Sequence, residues 1–104
     1  EPERRARLWE NTRFMAEAFH SLGFDTGDSA TPVIPVIVGD DRLAFFMSRR
    51  LEEEGVFVNP VITPAVPPGR ALLRTSFMAT HEREHLERAL AAFAKVGREV
   101  GLVA

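Results

Sequence analysis

Leu8, Thr12, Met15, Phe19 and Leu22 recur at spacings of four and three, the stripe of an amphipathic helix, and Gly23 follows as a stop. The pattern predicts a helix from about Arg4 to Leu22. Asp25 to Ser29 is turn chemistry. The apolar run Val33 to Val38, closed by Gly39 and Asp40, then reads as a buried strand, with Pro35 placing it at an edge or a bulge because proline donates nothing to a ladder. Asp40 or Asp41 is suited to cap a second helix, with Leu43, Phe46, Met47, Arg50 and Leu51 as its inner face and Gly55 at its end. Val56 to Val58 predicts a short strand. Residues 59–69 hold four of the seven prolines and are expected to be an irregular loop. Arg70 to Phe77 alternates well enough for a third strand. Leu86, Ala89, Leu90, Phe93, Val96 and Val100 stripe a last helix whose acidic residues come early and basic ones late, as its dipole favours. The expected fold is α+β: one domain over residues 1–104, with a small sheet of about three antiparallel or mixed strands and helices packed on it.

Composition narrows the function classes. The 104 residues are 45% hydrophobic and 27% charged, enough for a real core without staples. With no cysteine, disulfides, thiolate metal sites and cysteine nucleophiles are all excluded. A net charge of −2 with interspersed signs gives no basic face for a phosphate backbone, so nucleic acid is not an expected partner. No apolar run suggests a membrane span or a signal peptide, and a cytoplasmic location is expected. Lys95 is the single lysine beside twelve arginines, and the chain starts at Glu1 without a methionine. Both facts suggest one domain of a longer protein.

The string from His81 to His85 matches H-E-x-x-H, which on a helix can put two imidazoles on zinc. Arg88 and Ala91 stand where the extended motif needs glycine and a third histidine, and Glu99 lies too far along the helix to reach back. No metal is expected; exposed first-turn residues, capped by Thr80, are the simpler account. His20 reads as a partly exposed packing residue, Trp9, Phe14 and Phe19 as core or interface, and the run Glu52 to Glu54 as a solvated helix end. Arg74 is different, because a guanidinium in a strand beside Leu72, Leu73 and Phe77 needs an anion. That anion is either one of the domain's own carboxylates or a substrate carboxylate held by the guanidinium fork.

The strings VIPVIVGD (33–40), LEEEGVFVNPV (51–61), TPAVPPG (63–69), LLRTS (72–76) and MATH (78–81), with AFAKVGREVGLV (92–103), occur in this order. Together they resemble the carboxy-terminal small domain of the α-oxoamine synthases, pyridoxal-phosphate enzymes of aminotransferase fold type I. These include glycine C-acetyltransferase, aminooxononanoate synthase, aminolevulinate synthase and serine palmitoyltransferase, and the GVFVNPV string leans towards the last. The resemblance implies a decarboxylative condensation of an amino acid (glycine, serine or alanine) with an acyl thioester of coenzyme A or an acyl carrier protein. It implies that Arg74 binds the amino-acid carboxylate and that the loop with Thr63, Pro64, Ala65, Val66 and Pro67 borders the active-site entrance. It also implies a preceding large domain that holds pyridoxal phosphate with its own lysine, histidine and aspartate, and a homodimer. On that footing this chain contributes no catalytic, cofactor-binding or metal residue of its own, and alone it is inactive. An ordinary class I or II aminotransferase small domain, or a non-enzymatic ligand-binding or interaction domain, are the alternatives.

Overall fold

A computed structural model describes residues 2–27, 33–76 and 82–104. The elements follow the expected order: α1 (Pro2–Leu22), β1 (Val33–Gly39), α2 (Asp41–Glu53), β2 (Asn59–Val61), β3 (Ala71–Ser76) and α3 (Arg83–Glu99). The strands form an antiparallel sheet in the order β1-β3-β2, with Ile34 opposite Thr75, Val36 opposite Leu73 and Pro60 opposite Leu73 on the other side. Both edge strands carry a proline, Pro35 and Pro60, and the central strand has none, as the missing N–H requires. Of the two places expected for Pro35, an edge or a bulge, the structure shows the edge; the register shift lies further on, between Ile37 and Gly39 at the end of β1. Gly39 takes φ +99 there, a conformation that a side chain would strain.

Two expected boundaries move. Val56 to Val58 is not a strand, and the stretch from residue 59 is not wholly irregular, because β2 is Asn59–Val61. The reason lies in the end of α2: the N–H of Gly55 bonds to the carbonyl of Glu52 (2.9 Å) and that of Val56 to Leu51 (2.8 Å). The backbone after Gly55 is thus spent closing the helix, and pairing with β3 begins only at Asn59. On an edge, Pro60 is no obstacle.

One face of the sheet is covered by helices. Ile34, Val36, Leu73 and Thr75 are buried on it, under Ala44, Met47 and Leu51 of α2 and with Met15, Phe19, Leu86, Phe93 and Val96 completing the core. Phe46 does not belong to the inner face, being 53% exposed; the stripe is centred on Ala44, Met47 and Leu51, about a third of a turn away. In the last helix Ala92, Ala94 and Gly97 are buried as well as Leu86, Phe93 and Val96 of the expected stripe, whose Ala89, Leu90 and Val100 are half-buried, since α3 packs against both α1 and α2. Gly97 lets Phe24 lie on the helix: a Cβ there would stand 2.7 Å from the Phe24 ring, which is itself wedged edge-on against Phe19 and Phe93. Gly97→Ala is expected to destabilise the chain by about 1–3 kcal/mol through overpacking, in spite of alanine's better helix propensity. A urea titration of the two chains checks it.

The ends of α2 and α3 are tied by charge. Arg50 bonds through Nε and Nη2 to both Glu99 carboxylate oxygens (3.0 and 2.8 Å) and through Nη1 to Glu53 (2.8 Å), while Lys95 Nζ reaches Glu54 at 3.0 Å. The run Glu52 to Glu54 is therefore not simply solvated; its last two members are ion-paired. The Lys95 ammonium holds Glu54 below the usual carboxylate range, the Arg50 fork does the same for Glu99, and Arg50 is pushed up by Glu99 and then Glu53. Carboxylates depressed in the folded state contribute stability that is present at neutral pH and lost as pH falls through their folded values. The melting temperature is expected to fall below about pH 4.5, and Glu99→Gln to flatten that acid limb by lowering the melting temperature at pH 7, by the small amount usual for surface pairs, while leaving it unchanged in acid. Melting curves at a series of pH values would show it.

Candidate functional site

Alternation along β3 sends Ala71, Leu73 and Thr75 into the core and Leu72 and Arg74 to the opposite face of the sheet. Directly paired residues of antiparallel strands share a face, so Arg74 is grouped with its partners Pro35 of β1 and Asn59 of β2, and Leu72 with Ile37 and Val61. Pro35, Ile37, Val61 and Leu72 are half-buried there, and Asn59 and Arg74 are exposed. This second face is an apolar surface with one cation and one amide near its middle, and no helix lies on it among the described residues.

Arg74 thus differs from the expectation of a guanidinium set among core side chains. The sequence neighbour Leu73 points to the core and Arg74 away from it, and Phe77 lies outside the described residues. No ion pair to Arg74 forms among the described residues, whereas Arg50, Arg88 and Lys95 all have carboxylate partners. Among the described residues no carboxylate of the domain pairs with the Arg74 guanidinium. A fork in this position, once covered and removed from water, requires an anion.

The loop named with Arg74 joins β2 to β3, so the two sit on one hairpin, Arg74 about 10 Å along the strand from Ala71. Thr63 and Val66 are half-buried, and Pro64, Ala65 and Pro67 are exposed. The Thr63–Pro64 peptide is cis. Ile62 anchors the loop in the core margin, and its carbonyl accepts the N–H groups of Ala65 (2.9 Å) and Val66 (3.3 Å). Across the fold, Asp40 caps α2 by accepting the Leu43 N–H (2.9 Å), while Asp41, the first residue of the helix, accepts the Thr63 N–H through Oδ1 at 3.3 Å. The sequence reading missed Asn59 and Asp41. Asn59 was legible only as loop because two positions of an edge strand flank a proline; Asp41 was legible only as an alternative cap to Asp40, and its bond to Thr63 carries no local signal, since the partner is 22 residues away.

The other candidates divide. His81 and Thr80 lie outside the described residues. Glu82, not Thr80, is the N-cap of α3, and His85 reaches back to accept the Glu82 N–H at Nδ1 (3.2 Å). Among the described residues no group of three or more potential metal ligands comes together. His20 is fully on the exposed side of α1, Phe19 is in the core, Trp9 is on the surface, and Phe14 stacks under the Arg83 guanidinium at 3.7 Å. Lys95, the one side-chain amine, is held by Glu54 on the helical layer, so the residues present do not fit a cofactor aldehyde. No described helix is long and apolar enough to cross a membrane.

Comparison with known proteins adds four findings. The family profile described as aminotransferase class I and II matches residues 1–93. The chain is 58% identical over 103 residues to the 8-amino-7-oxononanoate synthase of Symbiobacterium thermophilum, covering 99% of this chain and 26% of the relative. It is 51% identical over 88 residues to the serine palmitoyltransferase of Bacteriovorax stolpii, covering 85% of this chain and 21% of that one. Among solved structures, the Sphingomonas wittichii serine palmitoyltransferase superposes with a TM-score of 0.91 at 34% identity, over 98% of this chain and 26% of the other. The chain spans about a quarter of the length of the relatives it matches.

Proposed function

The chain belongs to the aminotransferase class I and II family, and from that premise we propose that it is the small domain of a pyridoxal-phosphate-dependent α-oxoamine synthase, placed at the carboxy-terminal end of a longer protein. The observation that carries the reading is Arg74, exposed on the central strand of the uncovered sheet face with no carboxylate of its own domain as partner among the described residues. In this reading a preceding large domain packs over that face and holds the cofactor. Arg74 then binds the amino-acid carboxylate with its two parallel N–H donors, Asn59 offers an amide beside it, and the loop from Thr63 to Pro67 borders the entrance for an acyl thioester. The cofactor, when bound by the large domain, supplies the electron sink for carbanion chemistry. This chain's part is to bind, to orient and to exclude water.

The reaction proposed is condensation of a small amino acid with an acyl thioester, with loss of carbon dioxide. Alanine is the first amino acid to try. The name of the 58%-identical relative describes a ketone next to a carbon bearing both an amine and a terminal methyl, the skeleton that alanine leaves on decarboxylation. Serine is second, from the relative named serine palmitoyltransferase. The full-length protein is expected to work as a homodimer in the cytoplasm, and the 104-residue chain alone to be inactive for want of a lysine free to hold the cofactor. Incubation of the full-length protein and pyridoxal phosphate with alanine or serine and acyl-CoA thioesters should release free thiol and carbon dioxide in equal amounts. Amino-group transfer to a 2-oxo acid without carbon dioxide release would instead establish the aminotransferase alternative.

A further inference from the structure

The loop from Thr63 to Gly69 is poor in backbone donors, because Pro64, Pro67 and Pro68 have none. Two of the donors it does have, on Ala65 and Val66, turn back to the loop's own stem at Ile62. The Thr63 N–H alone among these reaches another element, and its acceptor is the Asp41 carboxylate. Asp41 is free for this because its neighbour Asp40 takes the capping duty at the start of α2. Two adjacent aspartates thus divide the work: Asp40 fixes the helix, and Asp41, half-buried at its first turn, points one oxygen at the loop.

We propose that Asp41 is a positioning residue that holds the loop at the substrate entrance through the Thr63 N–H. The inference rests on the proposed function, since only there does the loop border a substrate route. A carboxylate accepting a backbone N–H makes a charge-assisted bond, and loss of the acceptor leaves a half-buried donor without a partner. The helix that carries Asp41 is rooted in the core through Ala44, Met47 and Leu51, so the tether joins the loop to an element fixed by buried side chains.

The test uses the full-length protein with Asp41→Ala and Asp41→Asn, the second keeping an acceptor oxygen at the same reach. Amide hydrogen exchange over residues 62–66 is read beside the kinetic constants for each substrate. Asp41→Ala should speed exchange in that segment and raise KM for the acyl thioester roughly three- to tenfold, with a smaller change for the amino acid held by Arg74. Asp41→Asn should restore both readouts, which a general loss of stability would not. Unchanged exchange in Asp41→Ala overturns the tether itself, whatever the kinetics. Faster exchange with both KM values unchanged leaves the tether but overturns the positioning role, and places the error in the reading of the loop as a substrate border.

Discussion

Arg74→Ala in the full-length protein is expected to weaken amino-acid binding by about ten- to a hundredfold or more. Hydrogen bonds to charged groups are each worth about 1.5–3 kcal/mol, and 1.4 kcal/mol is about one decade in affinity. Arg74→Lys should recover only part of this, because an ammonium keeps the charge and loses the fork. Affinity for the acyl thioester should change far less. The structure adds a second half to the expectation. Arg74 is exposed, and no ion pair of the described residues depends on it, so its replacement should leave the chain's stability within about 0.5 kcal/mol of the original. Spectral titration with the amino acid, run beside a denaturation curve, reads both. Normal binding with a large loss of stability would make Arg74 a structural residue and defeat the proposed role.

Phe93→Ala should have the largest effect on stability. The ring is fully buried and meets Phe19 at a centroid distance of 4.7 Å and Phe24 at 5.8 Å, both edge-on, while Phe19 and Phe24 touch each other at 5.9 Å. It is thus the member of the triad that α3 contributes to the joint between α1 and the segment after it. Truncating a buried phenylalanine costs about 3–5 kcal/mol through lost transfer energy and a cavity, against about 5–15 kcal/mol for a whole domain. The variant is therefore expected to be largely unfolded or to melt far lower. Phe93→Leu, which retains most of the volume, should cost clearly less. Phe57→Ala is the control, since that ring is 78% exposed and should change stability little. A denaturant titration of the three variants would decide, and equal losses for Phe93 and Phe57 would contradict this account of the core.

The order of elements and the strand proline Pro35 could be read directly from the sequence, because helix stripes, apolar runs and turn residues are local signals. Arg74 and the loop from Thr63 to Pro67 could be named from the ordered series of motifs. Local reading failed where a residue's role depends on a partner distant in the chain. Val56 looks like strand, but its N–H is taken by Leu51 at the end of α2, and Asn59 and Pro60 look like loop until β3 is beside them.

Arg74 shows the division most clearly. Its charge and its place in a strand could be read from the sequence, and they raised the expectation of an anion. Which anion was a question of face: alternation in β3 and its register against β1 and β2 turn Leu73 to the core and Arg74 to the uncovered side, where no described carboxylate forms an ion pair with it. Asp41 is the converse case, a residue that the sequence offers only as an alternative helix cap and that gains its contact with the loop from a bond across 22 positions. Side-chain chemistry and local period are properties of neighbours along the chain, whereas face, register and tether are set only when strands pair and helices dock. For that reason the sequence determined the elements and the candidate cation, and the tertiary structure decided what that cation faces and what holds the loop beside it.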